Sequence, residues 1–220
     1  MRMPFHLLLP IALACPAQTR QGAEPLCSAN SADRVEIAPS DTRFLGFTIG
    51  HSTLKDVQAR LGPAHVVTVS PGGADSDQSV CYFSPSDGTV VIFYTGPMGG
   101  WRDITWFAIW SRKAAFPKRA ECSPSNVVSH TLTTASGIRL GQPRARFEGL
   151  AGVPKQREPA VDKYSYLCRR RMTAEEIRGF KTANGWDVTS DPYFDRSSWL
   201  QAWFQDSRVF RFEIGEIESY

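Results

Sequence analysis

A glycine-bounded segment that occurs twice is the feature of this sequence that most constrains its fold. The first copy, GHSTLKDVQARLGP, runs from Gly50 to Pro63, and the second, GQPRARFEGLAGVP, runs from Gly141 to Pro154. Each copy follows a short apolar run and leads into several strand-like segments. Because a returning segment indicates a returning structural unit, the sequence predicts two similar units in tandem.

The apolar spacing within each copy predicts a short helix. Leu54, Val57 and Leu61 recur at i, i+3 and i+7, which places them on one side of a helix. Ser52 or Thr53 is a candidate N-cap, since its hydroxyl can accept a hydrogen bond from a free backbone N–H. A helix of two to three turns is marginal alone, so it must bury its apolar side on the strands that follow. The predicted fold class is therefore α+β, with two tandem units that each pack short helices on an antiparallel β-sheet of about four strands.

These residues resemble a known group of proteins. The pattern Gly-x-(Ser/Thr)-x3-(Asp/Glu)-Val-x3-Leu-Gly-x-Pro, followed by four strands, is similar to that of the β-lactamase-inhibitor-protein-like superfamily. That superfamily includes the SmpA/OmlA-like outer-membrane lipoproteins. The resemblance covers about residues 44–110 and 126–215, and in the second copy Phe147-Glu148 stands where the pattern has the acidic residue and Val. It implies a tandem pair of small helix-plus-sheet units of a kind that is often exported and used for binding.

The N-terminus has the form of a secretory signal. Arg2 precedes an apolar stretch over residues 5–14 that ends in small residues. This stretch is too short to span a bilayer, which needs about 20 residues, and no later segment approaches that length. We therefore expect an exported chain with a soluble mature body, either periplasmic or anchored to the outer membrane; full secretion fits less well.

Two cleavage sites compete. Cleavage after Ala17 would remove residues 1–17 as an ordinary signal peptide, whereas a lipobox-like stretch before Cys15 would end a lipoprotein signal at residue 14. In the second case Cys15 would carry the lipid and form the membrane tether. Residues 18–43 lack apolar periodicity, so we predict a lead-in or tether there.

The rest of the chain divides at about residue 125. Residues 44–125 are predicted to form the first unit and a linker, and residues 126–220 the second unit. The second unit begins with a strand-like segment over 126–134 and carries an inserted helix near 173–184, marked by the capping box Thr173-Ala-Glu-Glu176. Residues 186–196, which follow that helix, are predicted to be a loop.

The cysteines predict disulfides and no metal site. Once Cys15 is assigned to the signal or to a lipid, an even number remains: Cys27, Cys81, Cys122 and Cys168. In an exported chain this favours disulfide pairing. We favour Cys81–Cys122, since both belong to or border the first unit, which leaves Cys27–Cys168 by elimination. No Cys-x-x-Cys or Cys/His cluster has zinc spacing.

The composition gives no support for nucleic-acid binding or for an enzyme. The formal net charge is only +3, and the one basic run, Arg169–Arg171, is read as a solvated strand end or an anionic contact. His51, His65 and His130 have no partner at suggestive spacing, and no Gly-x-Ser-x-Gly motif is present. We therefore predict no catalytic residue and no cofactor, and a hydrolase ranks below the other functions considered.

Aromatic residues give the clearest indication of function. In the strand-like segments 104–110 and 199–204, period-two alternation separates two faces. If the helices cover one face, the opposite face carries Trp106, Trp110, Trp199 and Trp203. The alternative is that the two units pack these faces against each other or under a loop. Together with Gln201 and Arg211, the four tryptophans form the predicted partner-binding set.

The sequence thus favours an exported, non-enzymatic protein-binding module of the bacterial envelope that uses an aromatic sheet face. A lipid-anchored structural accessory in outer-membrane assembly is the alternative. The partner is predicted to be a protein rather than a nucleic acid, and membrane contact is expected only through Cys15.

Overall fold

The computed structural model describes residues 26–27, 37–68, 77–96, 103–111, 122–185 and 187–220. The predicted signal, its lipidation candidate Cys15 and most of the predicted tether lie outside the described residues. None of the helices in the described ranges is long and apolar enough to cross a membrane.

Three helices and eleven strands make up the described fold. The helices are α1 (Leu54–Leu61), α2 (Arg144–Ala151) and α3 (Ala174–Asn184). The strands are β1 (Arg43–Phe44), β2 (Phe47–Thr48), β3 (Val66–Thr68), β4 (Gln78–Phe83), β5 (Val90–Thr95), β6 (Ile104–Trp110), β7 (Ser123–Pro124), β8 (Gln156–Arg157), β9 (Val161–Arg171), β10 (Tyr193–Gln205) and β11 (Arg208–Ser219).

One sheet runs through both halves of the chain, here called the first half (residues 44–125) and the second half (residues 126–220). Its strand order is β3-β4-β5-β6-β11-β10-β9-β8, with every neighbour on this path antiparallel and β7 added parallel to β4. The halves join where β6 pairs with β11, in a register that sets Trp106 opposite Gly215 and Trp110 opposite Arg211. The predicted α+β class of helices on antiparallel sheet is therefore present. The faces of the two halves lie side by side rather than packed against each other.

Helices α1 and α2 pack on the same face of this sheet. Thr53, one of the two predicted N-cap candidates, caps α1 and forms a capping box with Asp56. The predicted apolar side of α1 is buried, and in α2 both Phe147 and Ala151 are fully buried. Phe147 meets Phe204 of β10 edge to face, with ring centroids 5.6 Å apart. The main core therefore lies between the helices and one face of the sheet.

Helix α3 lies over the same side of the sheet, at the far end of β10. Its Phe180 packs against Phe194, which shares a face with the core-facing alternate residues of β10. Arg170 of β9 bonds both Glu176 of α3 and Glu218 of β11, each at 2.8 Å. The middle of the basic run is therefore an internal ion-pair site, and no helix of the described chain covers the opposite face.

The predicted tether over 18–43 is wrong for the part that is described. Ile37 is buried in the core, and its N–H donates to the Ser198 hydroxyl of β10 at 3.1 Å. Cys27 donates from its backbone to the Arg169 carbonyl, alongside β9. Side chains and backbone that are buried or bonded in this way belong to the folded unit, not to a tether.

Two further segments differ from expectation. Residues 126–132 form turns and irregular structure rather than a strand, because Ser129 and Thr131 bond locally and the backbone of Leu132 bonds back to Ser129. Thr133 and Thr134 make only isolated β-bridges. The predicted loop over 186–196 is wrong at its end, since β10 already begins at Tyr193. Ion pairs across the strands, such as Arg196 with Glu218 at 2.7 Å, accompany this polar extension of the hairpin.

Both predicted cysteine pairs are bonded in the structure. Cys81 of β4 joins Cys122 just before β7, with Cα atoms 4.5 Å apart. Cys168 of β9 joins Cys27, with Cα atoms 5.0 Å apart. The first bridge closes a loop within the first half, and the second holds an N-terminal segment against the second half.

Candidate protein-binding face

The face of the sheet opposite the helices, here called the helix-free face, brings the predicted partner-binding residues together. Strands β6, β11 and β10 align them in three rows. These rows are Trp106–Gly215–Trp199, Ala108–Glu213–Gln201 and Trp110–Arg211–Trp203. All four tryptophans, Gln201 and Arg211 thus share one surface, as the period-two pattern predicts.

Trp199 lies flat across the neighbouring strand. A Cβ atom added at Gly215 would come within 2.0 Å of the Trp199 ring carbon Cζ2 and within 2.4 Å of Cε2. The indole therefore occupies the place that a side chain on β11 would fill. Glycine is required at position 215 for this close approach, and the ring is held against the sheet instead of extending into solvent.

Trp106 is held by stacking. Its ring is parallel to that of Tyr94 on β5, with an interplanar angle of 2° and centroids 3.6 Å apart. Aromatic contacts of this kind contribute roughly 0.5–1.5 kcal/mol beyond buried area. The stack fixes Trp106 at the junction between the two halves of the sheet.

Arg211 lies between two tryptophans. Its guanidinium carbon is 3.9 Å from the ring centroid of Trp203 and 4.8 Å from that of Trp110. Both distances are within the range of cation–π attraction. Its Nε atom is buried and has no hydrogen-bond partner among the described residues. The guanidinium is thus positioned mainly by the two rings and by one carboxylate.

That carboxylate belongs to Glu213, two residues along β11. Arg211 Nη2 donates to Glu213 Oε2 at 3.0 Å, and the Glu213 side chain is largely buried. Burial raises the pKa of Glu213, and the nearby Arg211 charge only partly offsets this effect. The two charges at the centre of the helix-free face are therefore paired with each other.

The tryptophans differ in accessibility. Trp106, Trp199 and Trp203 are partly exposed, but Trp110 is only 7% exposed, so the expectation that all four are open is wrong for Trp110. Trp110 packs in a small second core cluster with Val90 and lies beneath the Arg211 guanidinium. It supports the face from below rather than contributing open surface.

Most of the open surface lies on the second half of the chain. Ile92 and Ala108 on the first half are buried, whereas Leu167 of β9 is 46% exposed and Ser165 beside Trp199 is also exposed. Gln201 is half-buried in the middle of this region. The accessible part of the helix-free face therefore runs from Trp106 across β11 and β10 to β9.

A histidine–aspartate pair is the main feature that sequence reasoning missed. Asp87 Oδ2 accepts hydrogen bonds from both the Nδ1 atom and the backbone N–H of His130, at 2.9 and 2.8 Å. The residues are separated by 43 positions and lie in different loops, so no local spacing could indicate the contact. Ser111 lines the same cavity, but its buried Oγ has no hydrogen-bond partner in the described part of the chain, so no catalytic triad is formed.

Among the described residues, the remaining histidines join no such pair. His51 and His65 are exposed. Within the described ranges, no group of three or more His, Cys, Asp or Glu side chains is placed to hold a metal ion.

Comparisons with known proteins add little. No family model matches this sequence, and no curated protein matches it. The chain is similar to the crystal structure, at 1.40 Å resolution, of a Streptococcus mutans protein provisionally described as a beta-lactamase inhibitor protein. Identity is 7%, the match covers 81% of this chain and 90% of that chain, and the TM-score is 0.25. A TM-score this low carries no argument, so the superfamily resemblance stays a prediction.

Proposed function

We propose that this protein is a non-enzymatic binding module that docks a partner protein on its helix-free face. The observation that carries the proposal is the accessible aromatic surface formed by Trp106, Trp199 and Trp203 beside Arg211. Tryptophan and arginine are the residues that most often dominate the energy of protein interfaces. An exposed aromatic cluster on one side of a sheet is also a typical mark of an interaction site.

Preorganisation supports this function. Trp199 is fixed against Gly215, Trp106 is stacked on Tyr94, and Trp203 is held by the Arg211 guanidinium. Ordering a mobile side chain on binding costs about 0.5–1.5 kcal/mol. Rings that are already fixed avoid most of that cost, so the buried area translates more fully into affinity.

The charges on the face define the chemistry of the partner. Arg211 and Glu213 neutralise each other at its centre, and Gln201 beside them is uncharged. Lys163, which lies next to Gln201 on β9, is paired with Glu158 at 2.7 Å. A partner that brought an unpaired charge to this position would bury it without compensation. The contacting patch of the partner is therefore apolar and uncharged, and its binding depends only weakly on salt.

Site-specific photo-crosslinking tests the proposal. A benzophenone amino acid placed at Gln201 reports on the helix-free face, and the same group at exposed Arg178 of α3 serves as the control. We expect an adduct with a discrete protein from position 201 only, with similar yield at low and high salt. Identical adducts from both positions, or an adduct lost at moderate salt, would contradict the proposal.

Export is part of the proposal. The two disulfides support an oxidising compartment, since such bonds are rare in the cytosol. The alternative function, a lipid-anchored accessory of the outer membrane, requires a lipid on Cys15. Intact mass of the mature protein separates the two: a diacylglyceryl adduct at Cys15 favours the anchored accessory, and a free N-terminus at Gln18 favours the soluble binding module.

A further inference from the structure

A cavity separate from the helix-free face lies where the β10–β11 turn meets loops of the first half. Its volume is about 330 Å³. Leu140, Val209 and Phe210 form an apolar part of its wall, and Asp206 and Arg208 of the turn also line it. Ligand sites occupy roughly 300–1,000 Å³, so this cavity has room for one small molecule.

Asp206 and Arg208 bring opposite charges to this cavity without pairing to each other. Arg208 Nη1 donates to the Gly141 carbonyl at 2.8 Å, and within the described ranges no carboxylate lies within 4.0 Å of its guanidinium. Asp206 is exposed and likewise has no cation partner among the described residues. The cavity thus offers one anionic and one cationic contact to a ligand.

The backbone of the turn fixes the positions from which both charged side chains extend. Asp206 and Ser207 adopt left-handed conformations, with φ of 51° and 57°, in the tight turn that joins β10 to β11. Consecutive left-handed residues define the hairpin turn that best matches the twist of its strands. The Ser207 carbonyl also accepts a hydrogen bond from the Arg144 N–H at 2.9 Å. The two charges are therefore carried by a braced turn rather than by a loose loop.

The other ionised carboxylate in the cavity wall is already occupied. Asp87 accepts from the Thr89 N–H through Oδ1, at 2.9 Å, and from His130 through Oδ2. Burial alone would raise the pKa of Asp87, but these hydrogen bonds hold it well below its usual range. Among the described cavity residues, the unpaired charges that remain are those of Asp206 and Arg208, and they cancel. This balance favours a ligand that carries one charge of each sign.

We propose that this cavity binds a free α-amino acid with an apolar side chain. Arg208 would hold the ligand carboxylate, Asp206 its ammonium group, and Leu140, Val209 and Phe210 its side chain. Charge-assisted hydrogen bonds to both ends provide the orientation, and the apolar wall selects the side chain. This site shares no residue with the helix-free face, so its test is independent of the protein-binding function.

Three matched ligands test the proposal on the purified full chain. L-leucine carries both charges, 4-methylpentanoate lacks the ammonium group, and 3-methylbutylamine lacks the carboxylate. The ring C–H signals of His130, which lines the cavity, report binding by nuclear magnetic resonance. We expect saturable shifts with leucine and at least about tenfold weaker binding of each analogue, because each loses one charge-assisted contact. Absence of a saturable shift with leucine, or equal affinity for all three, would overturn the site.

Substitutions in the turn assign each contact. Asp206→Asn keeps a residue that tolerates the left-handed conformation. Arg208→Gln keeps a polar side chain but removes the positive charge and shortens the side chain. Each substitution should weaken leucine binding at least about tenfold. Asp206→Asn should also weaken binding of 3-methylbutylamine, and Arg208→Gln should also weaken binding of 4-methylpentanoate, because each replaced residue contacts the charged group of that analogue. Arg178→Gln, at an exposed position outside the cavity, is the control and should bind like the parent. Leucine binding unchanged in both turn variants would refute the assignment.

Discussion

The indole of Trp199 occupies the space above Gly215, so that a Cβ atom at that glycine would lie 2.0 Å from a ring carbon. The two residues are direct neighbours across β10 and β11. The contact fixes the orientation of the partly exposed ring at the seam between the two halves of the sheet. The shape of the helix-free face therefore depends on a residue that has no side chain.

Replacing Gly215 with Ala should lower the free energy of unfolding by about 1–3 kcal/mol, the usual range for overpacking. The added methyl group must displace the rigid Trp199 ring or push the strands apart. In a Trp199→Ala background the same change should be neutral or slightly stabilising, because the clash is gone and alanine restricts the unfolded chain. Urea midpoints of the four proteins provide the test. A neutral Gly215→Ala in the parent would show that the ring does not rest on the glycine.

Trp110 and Trp203 form a second matched pair, since both contact the Arg211 guanidinium but only Trp110 is buried. Trp110→Ala should cost about 3–5 kcal/mol through lost burial and cavity formation. Trp203→Ala should cost clearly less, because its ring is partly exposed. Thermal melts compare the two variants directly. An equal loss of stability in the two variants would mean that the difference in burial does not affect the free energy of unfolding.

Glu176 should make stability depend on pH in the acid range. Hydrogen bonds from Arg170 lower the pKa of Glu176 from 4.5 to about 2. Partial burial opposes this shift, and hydrogen bonds from Thr173 add to it. Because the folded pKa lies below the unfolded one, this stabilisation is complete above about pH 4.5 and is lost as the pH falls towards about 2.

The corresponding variant is Glu176→Gln, which keeps the capping bond but loses the ion pair. Its free energy of unfolding at pH 7 should be about 1 kcal/mol lower than that of the parent, a modest loss because solvent screens this partly exposed pair, and the difference should disappear below about pH 2. Glu175→Gln, an exposed neighbour in the same helical turn, is the control and should change stability by only a few tenths of a kcal/mol. A constant gap at every pH would exclude the ion pair as the cause.

The Cys81–Cys122 bridge should contribute on the order of 4 kcal/mol by closing a loop of about 40 residues. Replacing both cysteines with alanine should lower the urea midpoint accordingly, and the other bridge should stay intact. Peptide mapping without reductant checks the pairing in the parent. Recovery of Cys81 as an alkylated free thiol would disprove this bridge.

The parts of the fold that depend on neighbouring residues could be predicted from the sequence. Period-two alternation placed Trp199, Gln201 and Trp203 on one face, since side-chain direction in a strand follows directly from position. The capping box at Thr173 likewise marked the start of α3, because the signal lies within four residues. These are short-range rules that need no knowledge of which strands pair.

Long-range packing could not be predicted in the same way. Nothing local indicates that Ile37 bonds to Ser198, 161 positions later, or that Asp87 pairs with His130. Trp110 has the same alternation as Trp106, yet it is buried, with Arg211 over its ring and the second core cluster packed beside it. These contacts and the burial of Trp110 depend on which distant segments of the chain pack together. That packing is set by chain topology and not by the local residue pattern.

The most direct test of the central claim is to measure how tightly the partner protein identified by crosslinking binds two single variants. Trp199→Ala removes an accessible ring from the helix-free face, and Val153→Ala changes an apolar residue that is 85% exposed outside it. The proposed function predicts that Trp199→Ala raises the dissociation constant by about thirtyfold or more, the effect of a 2 kcal/mol hot spot, while the protein stays folded. Val153→Ala should leave it unchanged. A Trp199→Ala protein that is folded and binds within twofold of the parent would contradict the claim.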